Sequence, residues 1–85
     1  MNSVDLIGYL RKVDGEFRLV EVSLPTFNDE GKNTALVYMK YWTDGNKNYF
    51  LSLPKDSLVG IHGHLDVNEK FGTIVIVEQV YCIKK

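Results

Sequence analysis

The chain has 85 residues, of which 45% are hydrophobic and 25% charged, with ten Lys and Arg against eleven Asp and Glu and a net charge of −1. This length points to one domain with a modest core, and the composition excludes a disordered chain. The charge balance excludes attachment to nucleic acid by bulk positive charge alone, and a single cysteine, Cys82, excludes an internal disulfide framework or a cysteine-based zinc site.

In chain order, the opening MNSVDLIGYL lacks a basic start and is interrupted by Asp5, so it does not read as a signal peptide. No apolar stretch is long enough to cross a membrane as a helix. With one cysteine, the expected location is a reducing cytoplasm. Val4–Arg11 reads as a first strand, in which Gly8 suggests a bulge or bend. Val13-Asp14-Gly15 makes a turn, because Asp-Gly supplies the positive φ of a tight hairpin. Glu16–Leu24 is a second strand with Val20, Val22 and Leu24 on one face, ended by Pro25, which has no N–H to pair. Phe27–Asn33 is a polar loop.

Thr34–Trp42, TALVYMKYW, is the third strand and the most informative segment. Period-two alternation places Ala35, Val37, Met39 and Tyr41 on one face, an ordinary core set. Leu36, Tyr38, Lys40 and Trp42 fall on the other, which sets two aromatics around a cation. Rings that stack on bases beside a cation that meets phosphate are the basic parts of a single-strand nucleic-acid surface. The plainer reading is a half-buried strand packed under a loop or in a subunit interface.

Thr43–Ser57 starts with a turn cluster and ends at Leu53-Pro54; its Asn46–Leu53 portion accommodates a short helix or an irregular connection. Leu58–Val67 is the fourth strand, with Val59, Ile61, Gly63, Leu65 and Val67 alternating against Gly60, His62, His64 and Asp66. Thr73–Ile83 is the fifth; its Ile and Val run predicts a strand buried on both faces or kinked by a bulge. Five strands with one helix-sized connection between the third and fourth predict an all-β, five-stranded Greek-key barrel of the OB type across residues 1–85.

Three segments carry a family resemblance. Asn2–Leu10 (NSVDLIGYL) has the family's opening Asn followed by a strand ending in Gly-x-Leu. Val37–Trp42 (VYMKYW) is an apolar strand ending in an aromatic. Pro54–Leu65 (PKDSLVGIHGHL) fits a Lys-Gly-Ser-x-Val-x-Val-x-Gly-x-Leu pattern, with Asp56 in place of the usual Gly. On these the chain resembles the DNA-binding domain of bacterial and phage single-stranded DNA-binding proteins, and the related primosomal protein of the same fold. The resemblance implies little sequence preference, a role in DNA replication, recombination or repair, and no enzymatic activity or cofactor. It implies stacking by Trp42, Tyr38, Phe27 and Phe71, and phosphate contacts from Lys40, Arg18, Arg11 and Lys12. The plainer reading of Phe27 and Phe71 is loop anchoring, and of Lys40 and Arg18 a solvated strand face.

The family's long tail with an acidic, aromatic tip has no counterpart before Lys85, which implies either a truncated chain or a minimal form such as a phage, plasmid or mobile-element version. Apolar Leu36, Ile74 and Ile76 on outer faces lead to the expectation of a homodimer or homotetramer; replication or primosome proteins are further expected partners. The alternatives are a protein–protein interaction module on the same barrel and an RNA-binding barrel. His62 and His64 point the same way on one strand and could share a metal with Asp66, although two such histidines are more often plain surface residues.

Overall fold

The computed structural model describes residues 2–24 and 33–85. The strands are β1 (Val4–Asp14), β2 (Phe17–Leu24), β3 (Asn33–Tyr41), β4 (Leu58–Asn68) and β5 (Gly72–Lys84), with one helix, α1 (Lys47–Ser52), between β3 and β4. They form a closed barrel in the order β1-β2-β3-β5-β4. All neighbours are antiparallel except β3 and β5, which run parallel. The predicted five-stranded barrel is therefore observed, with its short helix in the predicted connection.

Alternation explains why these segments close on one another. Leu10, Val20, Val22, Met39, Val59, Ile61, Val75 and Val77 turn inward and are buried. Phe50, brought from outside the sheet by α1, plugs the barrel against Tyr41 and Leu53 and is fully buried. Each such side chain contributes about 1.5–3 kcal/mol by leaving water. The β1–β2 hairpin turns at Gly15, whose φ of 63° is the left-handed conformation that a two-residue loop with Gly first requires. Gly72, at φ 75°, does the same where the chain enters β5.

Three expectations change. Gly8 is not a bulge: it pairs in register with Val22 on one side and Val59 on the other, and the irregularity of β1 lies between Leu10 and Val13. Glycine is needed at position 8 because a Cβ there would meet the Glu21 carbonyl oxygen at 2.6 Å. The apolar alternation of β4 does not continue to a buried end. Pairing with β1 stops at Gly63, so beyond it the only strand partner of β4 is β5, with Asn2 Oδ1 accepting from the Leu65 N–H at 2.6 Å, and Val67 is 80% exposed. Ile74 is not available for association, since it is 3% exposed within the single chain, while Ile76 is half-buried and Leu36 exposed. Burial of the consecutive Ile74 and Val75 agrees with a strand covered on both faces.

Candidate nucleic-acid interface

The outward face of β2 and β3 is set by the same alternation that fills the core. Phe17 lies opposite Lys40, and Leu19 opposite Tyr38. The β4–β5 turn folds over this surface and places Phe71 on it. The turn is tied by Asn68, whose Oδ1 accepts hydrogen bonds from the backbone N–H of Lys70 at 2.8 Å and Phe71 at 3.0 Å. The Phe71 and Tyr38 rings stack at 4.0 Å with an interplanar angle of 27°, and Phe17 meets Phe71 at 4.9 Å, tilted by 58°. The ammonium of Lys70 lies 5.1 Å from the Phe71 ring centre, and that of Lys40 lies 5.9 Å from the Phe17 ring centre.

Tyr38 and Phe71, named separately from the sequence, are thus brought together, and Phe17 joins them. Phe17 was legible in principle: once Val20 and Val22 face inward, parity puts Phe17 outward, in line with Leu19 and Glu21. Trp42 stands at the other end of the same β3 face. It is the first residue after β3, is anchored by its backbone N–H to the Val77 carbonyl at 2.9 Å, and leaves its side chain 62% exposed. Phe27 lies outside the described residues.

The expected cations separate into different roles. Arg18 is the correction. It sits on the inward side of β2 in the Arg18-Val20-Val22 series and is 2% exposed. Its Nε donates to the Arg11 carbonyl at 2.8 Å, and Nη1 donates to the carbonyls of Phe50, Leu51 and Leu53 at 3.1, 3.1 and 2.7 Å. These include carbonyls that the end of α1 leaves without partners in the helix. Burial lowers the Arg18 pKa from its ordinary value. A guanidinium so enclosed is a structural pin and has no access to phosphate.

Arg11 is half-buried and held by two carboxylates. Nη2 lies 2.9 Å from Glu21 Oε1, and Nη1 pairs with Asp56. The Glu21 hydrogen bond is the largest influence raising its pKa. Its charge is already answered inside the protein. Lys12 is exposed on the irregular end of β1. Lys40 reaches Glu16 at 3.6 Å, and Glu16 also takes Lys47 at 2.9 Å. The hydrogen bond from Lys47, with the charges of Lys47 and Lys40, holds the Glu16 carboxyl below the ordinary carboxylate range.

A second group lies across β3, β5, β4 and β1. Tyr41 pairs with Val77, which sets Trp42 beside Glu78 on the outer surface. His64 Nδ1 lies 2.7 Å from Glu78 Oε2, and His62 Nδ1 lies 2.7 Å from Asp5 Oδ1. The two histidines share a side of β4, as expected, but converge on Glu78. Asp66, the expected third ligand, instead uses its Oδ1 to accept from the Val67 N–H. Among the described residues no group of three or more candidate ligands is placed to hold a metal. Nor is any helix among the described residues long and apolar enough to cross a membrane.

No protein-family model matches the sequence, and no curated protein matches it. Solved structures do match in fold. The mitochondrial single-stranded DNA-binding protein Rim1 of S. cerevisiae aligns over 99% of this chain and 96% of its own, at 9% identity and a TM-score of 0.70. The small single-stranded DNA-binding protein of Streptomyces coelicolor aligns over 96% and 95%, at 14% identity and a TM-score of 0.71. An OBody bound to hen egg-white lysozyme aligns over 100% and 97%, at 19% identity and a TM-score of 0.63. At these identities the likeness is one of fold, and the fold is the OB barrel.

Proposed function

We propose that this protein binds single-stranded DNA with little sequence preference overall, in DNA replication, recombination or repair. The observation that carries the reading is the outward face of β3. Tyr38, Lys40 and Trp42 follow one another along it, and Phe17 and Phe71 are packed against its Tyr38 end. Every base has a π-face, so each ring left free to stack contributes about 1–3 kcal/mol without reading sequence. Tyr38 and Phe71 already cover one face of each other, which leaves Trp42 as the ring with the freest surface. The neighbours that are single-stranded DNA-binding proteins support this reading through their fold.

The direct test is fluorescence of Trp42, the only tryptophan, titrated with oligo-dT. Quenching that weakens with salt is expected. Among the described residues, Lys12, Lys40 and Lys70 are accessible cations near these strands without a close double carboxylate pairing, so the slope of log affinity against log salt is expected near about −2. No change at low salt and micromolar protein would overturn the reading. Matched DNA and RNA oligomers decide between DNA and an RNA-binding barrel.

Glu16 restrains the site. Replacing Glu16 with Gln removes the carboxylate shared by Lys40 and Lys47, and oligo-dT affinity at low salt is expected to rise by a few fold with a steeper salt slope. Because the Glu16 pKa is lowered on folding, its ion pairs add to stability above the ordinary value of 4.5 and lose that contribution as acid protonates it. The variant should therefore lose the part of the acid dependence of unfolding that Glu16 supplies. An unchanged salt slope would mean that Lys40 does not meet phosphate.

Association into a dimer or tetramer belongs to this reading. The exposed Ile7 of β1, with Tyr81 and Ile83 of β5, supports it in place of Ile74. Replication or primosome proteins remain the proposed protein partners. One observation favours a second reading, an interaction module for protein: the OBody neighbour is an OB barrel seen bound to lysozyme.

A further inference from the structure

We propose that the depression beside Trp42 reads one base of the bound strand and favours guanine. This rests on the single-stranded DNA reading and adds a base preference to it. The depression encloses about 450 Å³ and is lined by Trp42, His62, Glu78 and Gln79. Trp42 and Glu78 each follow the last register pair of the parallel β3–β5 ladder, Tyr41 with Val77, and both line the depression, so an exposed indole and a carboxylate face the same space. The register of β4 against β5 shifts between His62 and Gly63, and both imidazoles approach Glu78. His64 Nδ1 takes Oε2 at 2.7 Å, whereas His62 Nε2 stays 3.7 Å from Oε1, too far for a hydrogen bond. The His62 ring is turned instead toward Asp5. Glu78 is thus fixed through one oxygen and offers the other to a donor.

The chemistry of that oxygen selects the ligand. A carboxylate repels phosphate, so the DNA backbone is kept off this spot and a base is what enters. The oxygen only accepts, so the entering edge must donate. Guanine presents two adjacent donors, N1–H and the N2 amino group. Cytosine and adenine present an amino group next to an acceptor nitrogen. Thymine presents one N–H between two carbonyl oxygens, which the carboxylate repels. A base stacked on Trp42 and read on its Watson–Crick edge by Glu78, with the Gln79 amide beside it, follows the general mode of single-strand recognition. Only Oε1 is offered, so the two guanine donors converge on one oxygen, and the Glu78 side chain is 41% exposed; both place the selectivity at the low end of base discrimination, about tenfold.

The test is Trp42 quenching by a short oligo-dT, by the same oligomer with one central dG, and by one with central deoxyinosine, which keeps N1–H and lacks the amino group. The dG oligomer is expected to bind about tenfold more tightly than oligo-dT, with deoxyinosine between them. In Glu78→Gln, checked for unchanged unfolding, the ratio of dG to dT affinity is expected to fall to about one. Equal affinity for dG and dT oligomers in the unaltered protein overturns this inference and leaves single-stranded DNA binding standing. So does a preference that survives in Glu78→Gln, or deoxyinosine matching dG. Absence of quenching by every oligomer overturns both.

Discussion

Replacing Arg18 with alanine is expected to cost about 3–5 kcal/mol of stability. The residue fills the barrel beneath α1 and satisfies carbonyls of Arg11, Phe50, Leu51 and Leu53. Its removal leaves a cavity and several buried acceptors without donors, and the second effect is the larger because those carbonyls stay dehydrated. For a domain of this size the fall in Tm should exceed about 10 °C. Arg18→Met separates the causes. It keeps most of the apolar volume and loses the donors, so it should recover only the part due to the cavity. Urea unfolding of the two variants measures the difference. If both unfold like the unaltered protein while oligo-dT binding weakens, then Arg18 meets phosphate after all and the pin is wrong.

Replacing Trp42 with alanine is expected to do the reverse, changing binding and sparing the fold. A stacked base is worth about 1–3 kcal/mol, so affinity for oligo-dT should drop by about 5- to 150-fold. The side chain is 62% exposed, and its anchoring bond to Val77 uses the backbone, so unfolding should move little. Fluorescence anisotropy of a labelled oligomer reads the loss without the tryptophan. Unchanged affinity would remove Trp42 from the interface. A changed oligomeric state with unchanged affinity would assign it to a contact between copies.

The five strands, their order along the chain and the outward face of β3 were legible because each follows from period two and from turn residues close in sequence. Arg18 was not. Its parity with Val20 and Val22 pointed inward, yet a charged residue on a strand reads as exposed unless its partners are known. Three of its four partners lie more than thirty residues away, at the end of a helix whose carbonyls face it. Phe71 on Tyr38 was equally hidden, because the contact depends on how the β4–β5 turn folds back over β3. The approach of His62 and His64 to Glu78 depends on a register shift within β4–β5, which no local pattern announces.

The barrel is closed by two unequal seams. β1 and β4 share six register pairs, whereas β3 and β5 share three, Met39 with Val75, Lys40 with Ile76 and Tyr41 with Val77. The β1–β2–β3 meander and the β4–β5 hairpin are each built from neighbours in sequence, so they form at low loop-closure cost. Both seams join these two pieces, and the parallel one, with fewer register pairs, is expected to open first. Trp42 lies on one side of that seam and Glu78 on the other. On the proposed reading, a base gripped between them would act as a clasp, so that holding the ligand and holding the barrel shut would become one event.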